Sequence, residues 1–346
     1  MTVFGVRAPF GAGNPLLFAE IGQAHEGSLS LAFGMIDAIK ESGFDGVKFQ
    51  VHDPEAESTL DEAFRPGSGI RDKNRLEYWK RTSFSAEQWE ALARHARDLN
   101  LLVVPSIFSI KSMELMSQVG VDAWKIGSGE ALQGWFLRAV AGMKQPTILS
   151  TGMSTWKEIE MGVDILLPNV PWLAVLQSTS AYPVGLPDVG LNVMSEIGSR
   201  FAVATGLSDH SGSLAPSMAA LARGAKVIEV HATYSKSMPG PDARASLTFE
   251  EMKTLTDFRD DLAQLDSPNL TKDELAIELA SMRAIFGRSV APAIPIPKGT
   301  RIQEDMLLPK KPGGGIPFEQ VQDVIGKTAK KDLEPNRLLT WEDIEL

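Results

Sequence analysis

The stretch VATGLSDHSGSLAPSMAALARGAKVIEVHATYSKSMPGPDARAS, residues Val203 to Ser246, decides the fold. It reads as a buried strand ending in Asp209-His210, a helix, a second buried strand ending at Glu229 and His231, and a Pro/Gly turn that carries Asp242. Two strands of one sense joined through a helix form a right-handed crossover, which lays them side by side in a parallel sheet. Both imidazoles therefore emerge at the same edge.

Working outward, the same alternation extends back to Leu16. Six further apolar runs precede these two, near Leu16 to Gly22, Gly46 to Val51, Leu101 to Ile107, Ala123 to Gly129, Thr147 to Gly152 and Trp172 to Thr179. They are short and nearly continuous, as strands covered on both faces must be. Helix-period segments lie between them, several opening on Ser and closing near Gly or Asn, the residues preferred at the two helix ends. Eight such units in roughly 250 residues predict a (β/α)8 TIM barrel. An open doubly wound sheet uses the same units. The count of eight favours the barrel, as does a polar residue at the carboxyl end of every run, since barrel enzymes carry their chemistry at that end.

The segment Asp53 to Arg81 is too long for an ordinary strand-to-helix loop and is expected to pass over the mouth. After about Ser267 the texture changes to a helix near Lys272 to Phe286, followed by a Pro- and Gly-rich tail with weak strand signals. The expected organisation is a catalytic barrel over 1–266, a helical linker over 267–286 and a small module over 287–346. GAGNPL near the start precedes a strand instead of following one, so it reads as a turn and not a phosphate loop.

Composition narrows the function. A formal net charge of −10 argues against a nucleic-acid or anionic-membrane partner. The absence of cysteine removes disulfides, thiolate nucleophiles and zinc–thiolate sites. MTVFGVRAPFGAG lacks the basic and apolar regions of a signal peptide, and no uncharged apolar run approaches the ~20 residues of a membrane span, so a cytoplasmic protein is expected.

The mouth residues suggest chemistry. His210 and His231 are either hydrogen-bonded strand-end histidines or two ligands of a divalent metal such as Mn, Fe, Co or Zn, with Asp209 and Glu229 available to orient the rings. Lys48 and Lys125, buried in parallel strands among Ser106, Ser128, Ser150, Ser180 and Ser208, suit a phosphate or carboxylate, since ammonium and hydroxyl groups both donate to anions. Glu20 and Glu130 are candidate general acid/base groups or salt-bridge partners of the same lysines. Tyr182 and Asp242, just past strand ends, either hold sugar hydroxyls or anchor loops. No second basic cluster, which a phosphorylated acceptor would require, is evident.

FAEIGQAHEG, DGVKFQ, WKIGSGE, LSTGM, STSAYPV, GLSDHSG and SMPGPDARASL resemble, in order and spacing, the motifs of the sialic acid synthase family. From Gly287 the tail RSV…KG…DML…KKPGGGIP is similar to that family's C-terminal antifreeze-like (SAF, β-clip) domain. The resemblance implies condensation of phosphoenolpyruvate with the open-chain aldehyde of an N-acyl amino sugar, giving a nine-carbon 2-keto acid and phosphate. It also implies a divalent metal, Mn or Mg, on His210 and His231, and phosphoenolpyruvate on Lys48, Lys125, Ser128, Ser150, Ser180 and Ser208. Glu20, Gln50, Tyr182 and Asp242 would face the sugar, with Glu20 handling protons. It further implies a domain-swapped homodimer.

Three positions depart from the family pattern. Ser180 stands where Asn is usual, and Val230-His231-Ala232-Thr233 replaces Lys-His-Phe-Thr. Lys311-Pro312-Gly313 replaces an Arg-Pro-Gly whose Arg reaches the acyl group, a contact that lysine cannot copy. The rival readings are another phosphoenolpyruvate-condensing or aldolase-type barrel, and a non-catalytic carbohydrate-binding protein.

Overall fold

A computed structural model describes residues 13–65, 68–265 and 271–345. Residues 1–12, Pro66 and Gly67 of the long segment, and the first part of the expected linker lie outside these. The chain divides into two compact units, residues 1–266 and 267–346.

In the first unit eight strands run in parallel: β1 (Leu16–Gly22), β2 (Gly46–Val51), β3 (Leu102–Ile107), β4 (Trp124–Ile126), β5 (Thr147–Ser150), β6 (Leu173–Ser178), β7 (Ala204–Asp209) and β8 (Val227–Thr233). They pair in chain order, and β1 pairs again with β8, so the sheet closes into a barrel. That closure excludes the open doubly wound sheet. A short β9 (Ser246–Thr248) extends the edge beside β8. Ser28, Ser85, Ser109 and Thr155 cap four of the surrounding helices, each accepting a hydrogen bond from a first-turn amide.

Two apolar layers hold this unit together. Leu17, Ala19 and Ile21 of β1 pack outward against the helices, with Val47, Phe49, Val103 and Val175. A separate cluster of Leu16, Phe18, Leu102, Val104, Ile148, Ala174, Leu176 and Val227 fills the barrel. Side chains alternate along a strand, so the next inward residues after these are Glu20, Ser106, Ser150, Ser178 and Glu229. The barrel lining thus turns from apolar to charged within one side-chain layer. At Gly206 an added Cβ would lie 1.9 Å from the Val227 carbonyl oxygen, so glycine lets β7 approach β8 there.

The long segment after β2 forms two helices, Pro54–Glu57 and Arg75–Thr82. It is tied down at His52. The imidazole stacks on Trp79 of the second helix at 3.7 Å between ring centres and on Phe108 beyond β3 at 4.3 Å. Its Nδ1 lies 2.5 Å from Oε1 of Glu57. Burial pushes the Glu57 carboxyl up to about 8 and pulls the His52 ring down to about 3, the latter helped by the Arg75 charge. Both groups are therefore neutral at pH 7, with the carboxyl donating to the ring.

The second unit opens with two short helices, Lys272–Glu278 and Ala280–Phe286, broken at Leu279 where one continuous helix was expected. β10 (Ser289–Pro292) and β11 (Leu307–Lys310) then pair antiparallel over a core that includes Val290, Ile296, Ile302, Leu339 and Ile344.

The neutral Glu57 gives a pH signature. A carboxyl raised in the folded state above its ordinary 4.5 contributes stability that is complete below that value and is lost as pH rises through about 8. Glu57→Gln keeps a donor for His52 without the ionisation. Its melting temperature should therefore gain on the wild type between about pH 5 and 9. A constant difference across that range would rule the neutral pair out.

Candidate active site

The inward-facing polar layer comes together as one cavity of about 510 Å³ at the carboxyl ends of the strands, within the range of roughly 300–1,000 Å³ usual for small-molecule sites. All of the expected site residues of the first unit line it: Glu20, Lys48, Gln50, Ser106, Lys125, Ser128, Glu130, Ser150, Ser180, Tyr182, Ser208, His210, His231 and Asp242. Lys311 belongs to the second unit, at the end of β11, with its ammonium 5.4 Å from the centre of the Phe286 ring.

The floor is ionic. Lys48 contacts the Glu20 carboxylate and donates to the Ser106 hydroxyl at 2.7 Å. Lys125 donates to Ser150 at 2.8 Å. Glu229 lies between the two ammonium groups, 3.7 Å from Lys48 and 3.5 Å from Lys125, and accepts a hydrogen bond from Ser208 at 3.0 Å. Burial alone would raise the Glu229 carboxyl, but Lys125 and Lys48 outweigh it and hold the group below the usual range. Burial draws Lys48 down to about 7, with Glu229 opposing. The Glu20 carboxylate works in the same direction as Glu229, so we read this ammonium as charged at neutral pH.

Both oxygens of Glu20 are engaged, one with Lys48 and the other with the Gly22 amide at 2.7 Å. Of the two readings open for this residue, the salt bridge is the one formed here. Glu130 differs. Burial pushes its carboxyl up to about 7 despite Lys125, so it can give and take a proton near neutrality. On the same side of the cavity, the Ser128 hydroxyl accepts from the Gly152 amide at 2.9 Å. An added Cβ at Gly152 would come within 2.5 Å of the Ser180 hydroxyl oxygen and 2.8 Å of that of Ser128. The serine cluster requires glycine there.

The two histidines face each other with ring centres 5.5 Å apart. Nδ1 of His210 lies 2.9 Å from the Thr179 carbonyl, and because a carbonyl only accepts, this nitrogen carries the proton and Nε2 presents its lone pair. Burial lowers both rings, His210 to about 3, so both are neutral. Nδ1 of His231 lies 3.8 Å from Asp242. The expectation that Asp209 orients the rings is corrected. Asp209 accepts from the Ser211 amide at 2.8 Å and from the Ser217 hydroxyl at 3.0 Å, because alternation along β7 turns it away from Ser208 and His210. Glu229 is the neighbour on the inner side.

The long segment adds residues that strand-end reasoning missed. Arg65, Arg75, Tyr78, Trp79, His52 and Glu57 all line the cavity. Two guanidinium groups therefore stand at the mouth where no second basic cluster was expected, although each already meets a carboxylate, Arg65 that of Asp242 at 2.7 Å and Arg75 that of Glu62 at 3.3 Å. Their signal was the length of the segment, which marks a covering role without saying which side chains turn inward.

Comparison with known proteins agrees with this layout. Residues 35–266 match the NeuB family and residues 287–345 the SAF domain. The chain is 33% identical to the N,N'-diacetyllegionaminic acid synthase of Legionella pneumophila, over 95% of this chain and 94% of that protein. It is 34% identical to a pseudaminic acid synthase of Campylobacter jejuni, over 92% of this chain and 93% of that one. It is also 33% identical to the human N-acetylneuraminate-9-phosphate synthase, over 95% of this chain and 92% of that one. Among solved structures, an N-acetylneuraminic acid synthetase from Leptospira borgpetersenii superposes with a TM-score of 0.69 at 26% identity, covering 78% of this chain and 92% of that one. A barrel of this register followed by an SAF domain, with matches across both parts, makes the chain a member of the NeuB family of synthases.

Proposed function

We propose that this protein condenses phosphoenolpyruvate with the open-chain aldehyde of an N-acyl amino sugar, forming a nine-carbon 2-keto sugar acid and inorganic phosphate. The observation that carries the reading is two buried ammonium groups with serine hydroxyls beside two neutral imidazoles, all in one cavity. The family's other members, named as synthases of legionaminic, pseudaminic and sialic acids, support the product class.

Lys48 and Lys125, with Ser128, Ser150, Ser180 and Ser208, hold the phosphate and carboxylate of phosphoenolpyruvate. Its methylene carbon bonds to the aldehyde carbon, leaving a cationic centre at C2 and a developing alkoxide on the sugar. Water then adds at C2, and the C–O bond to phosphate breaks. Glu229 beneath the lysines favours the cationic centre, and Glu130 is the proton carrier suited to neutral pH.

His210 and His231 fit a divalent metal. Both are neutral, and His210 presents the lone pair of Nε2, 3.5 Å from the Ser208 hydroxyl oxygen, as a metal ligand requires. Among the described residues no cluster of three or more His, Asp or Glu side chains suited to a metal is found, so water and substrate oxygens would complete the shell. A bound Mn or Mg would act as a Lewis acid on the aldehyde oxygen. Gln50, Tyr182 and Asp242 face the sugar, and in a domain-swapped homodimer Lys311 stands where the family has its Arg at the acyl group, without that Arg's planar contact. Exposed Ile277, Ile285 and Phe286 supply an apolar face suited to such pairing. No helix among the described residues is long and apolar enough to cross a membrane, which accords with the cytoplasmic setting we propose.

Phosphate release from phosphoenolpyruvate, measured against a panel of N-acyl hexosamines and their deoxy, diamino relatives, tests the reading. Release is expected only with both substrates present, to stop on chelation and to return with Mn or Mg. Sugar binding without release from any of them would make this a carbohydrate-binding protein instead. His231→Ala should cut metal-dependent turnover by more than about a hundredfold with the melting curve preserved; metal-indifferent turnover in that variant would remove the metal assignment. Gly152→Ala should push the Ser128 and Ser180 hydroxyls aside and raise KM for phosphoenolpyruvate about tenfold, leaving KM for the sugar near wild type. An unchanged phosphoenolpyruvate KM would place those serines outside its subsite.

A further inference from the structure

The long segment after β2 crosses to the far side of the mouth through one side chain. Nη2 of Arg65 donates to the Asp242 carboxylate at 2.7 Å and to the Pro241 carbonyl at 2.5 Å. Its guanidinium carbon lies 4.0 Å from the centre of the Tyr182 ring, and the His210 imidazole centre lies 4.1 Å from that same point. Contact distances of roughly 3.5–4.0 Å leave no room for both on one face. Tyr182 is therefore sandwiched, with the cation on one side and the histidine on the other.

With both faces covered, Tyr182 offers the cavity only its rim and hydroxyl. Asp242 has Oδ1 committed to Arg65, and its Oδ2 lies 3.8 Å from Nδ1 of His231. Nη2 makes both of the Arg65 hydrogen bonds, whereas Nε and Nη1 have no hydrogen-bond partner among the described residues, and the side chain, 33% exposed, lines the cavity. A guanidinium carries only donors, so these single N–H groups are matched by an oxygen. Because Asp242 already answers the positive charge, they suit a neutral oxygen better than a phosphate.

We propose that Arg65 is the specificity-determining residue for the acceptor. An N–H group that Arg65 leaves free, on Nη1 or Nε, donates to a hydroxyl or acyl carbonyl oxygen of a neutral N-acyl sugar, while its Nη2 holds Asp242 and its plane covers Tyr182. The inference rests on the functional reading above, and it makes Arg65 act on one substrate and not the other.

The test measures the two KM values separately, by phosphate release, in Arg65→Met and Arg65→Lys. Arg65→Met should raise the acceptor KM about tenfold or more, while the phosphoenolpyruvate KM stays within about twofold of wild type. Arg65→Lys should recover part of the loss, since lysine can pair with Asp242 but lacks the planar group's further N–H donors. Melting curves accompany both variants, and if Arg65→Met does not fold, the acceptor KM of Arg65→Lys decides alone. An acceptor KM unchanged in the tested variants, or an equal rise in both KM values, overturns the proposal. A greater loss with a phosphorylated acceptor than with its neutral parent overturns the neutral-oxygen assignment. Wild-type protein that releases no phosphate with any acceptor defeats the functional reading itself, whereas wild-type turnover with an indifferent Arg65→Met defeats only this inference.

Discussion

Two ammonium groups sit where the barrel has almost no water, and the arrangement of the site follows from what it takes to keep them there. A buried charge without a partner costs several kcal/mol, on the order of 3–5 when one member of a pair is removed. Lys48 and Lys125 are answered by Glu20 and Glu229, two cations by two anions, and the remaining donors are met by Ser106 and Ser150. The floor is therefore formally neutral before any ligand arrives. Phosphoenolpyruvate would add a carboxylate and a phosphate, the latter contributing roughly −1.5 to −2 at pH 7. Excess negative charge in such a place calls for another cation. Two neutral imidazoles in the same cavity are suited to hold one, so the divalent ion proposed above would serve the balance of charge as much as the chemistry of an aldehyde.

The same constraint explains why so much of the barrel could be read from the chain. A parallel strand buried on both faces has a period of two, and one inward position in each pair must be apolar or paired. Phe18 then Glu20, Val104 then Ser106, and Val227 then Glu229 and His231 all follow that rule, so a polar ending on a buried run marks the mouth. Misreading came where period alone could not decide. Asp209 and His210 are neighbours in sequence and point to opposite sides of β7. One supports the loop after the strand and the other the cavity.

Side chains of the long segment between β2 and β3 had no such local signal. Arg65 meets Asp242 from 177 positions away, and His52 is held between rings from two different elements. Polar residues in an irregular segment look alike whether they face water or a substrate, because their direction is set by what they pack against. The length of the segment announced that it covers something. Only the assembled barrel shows that it brings guanidinium and aromatic groups into the same cavity as the lysines.

Those additions give the cavity two kinds of construction. Lys48, Lys125 and Glu229 stand on strands and are tied by ion pairs, beside a glycine that admits the serine hydroxyls. A second group is assembled across elements: Arg65 from the long segment, Tyr182 after β6 and Asp242 after β8, with His210 backing the tyrosine ring. The anion proposed for the lysines would gain from the first kind of construction, since strand-borne groups hold their geometry. Recognition of the proposed sugar would gain from the second, because loop residues can change without disturbing the barrel.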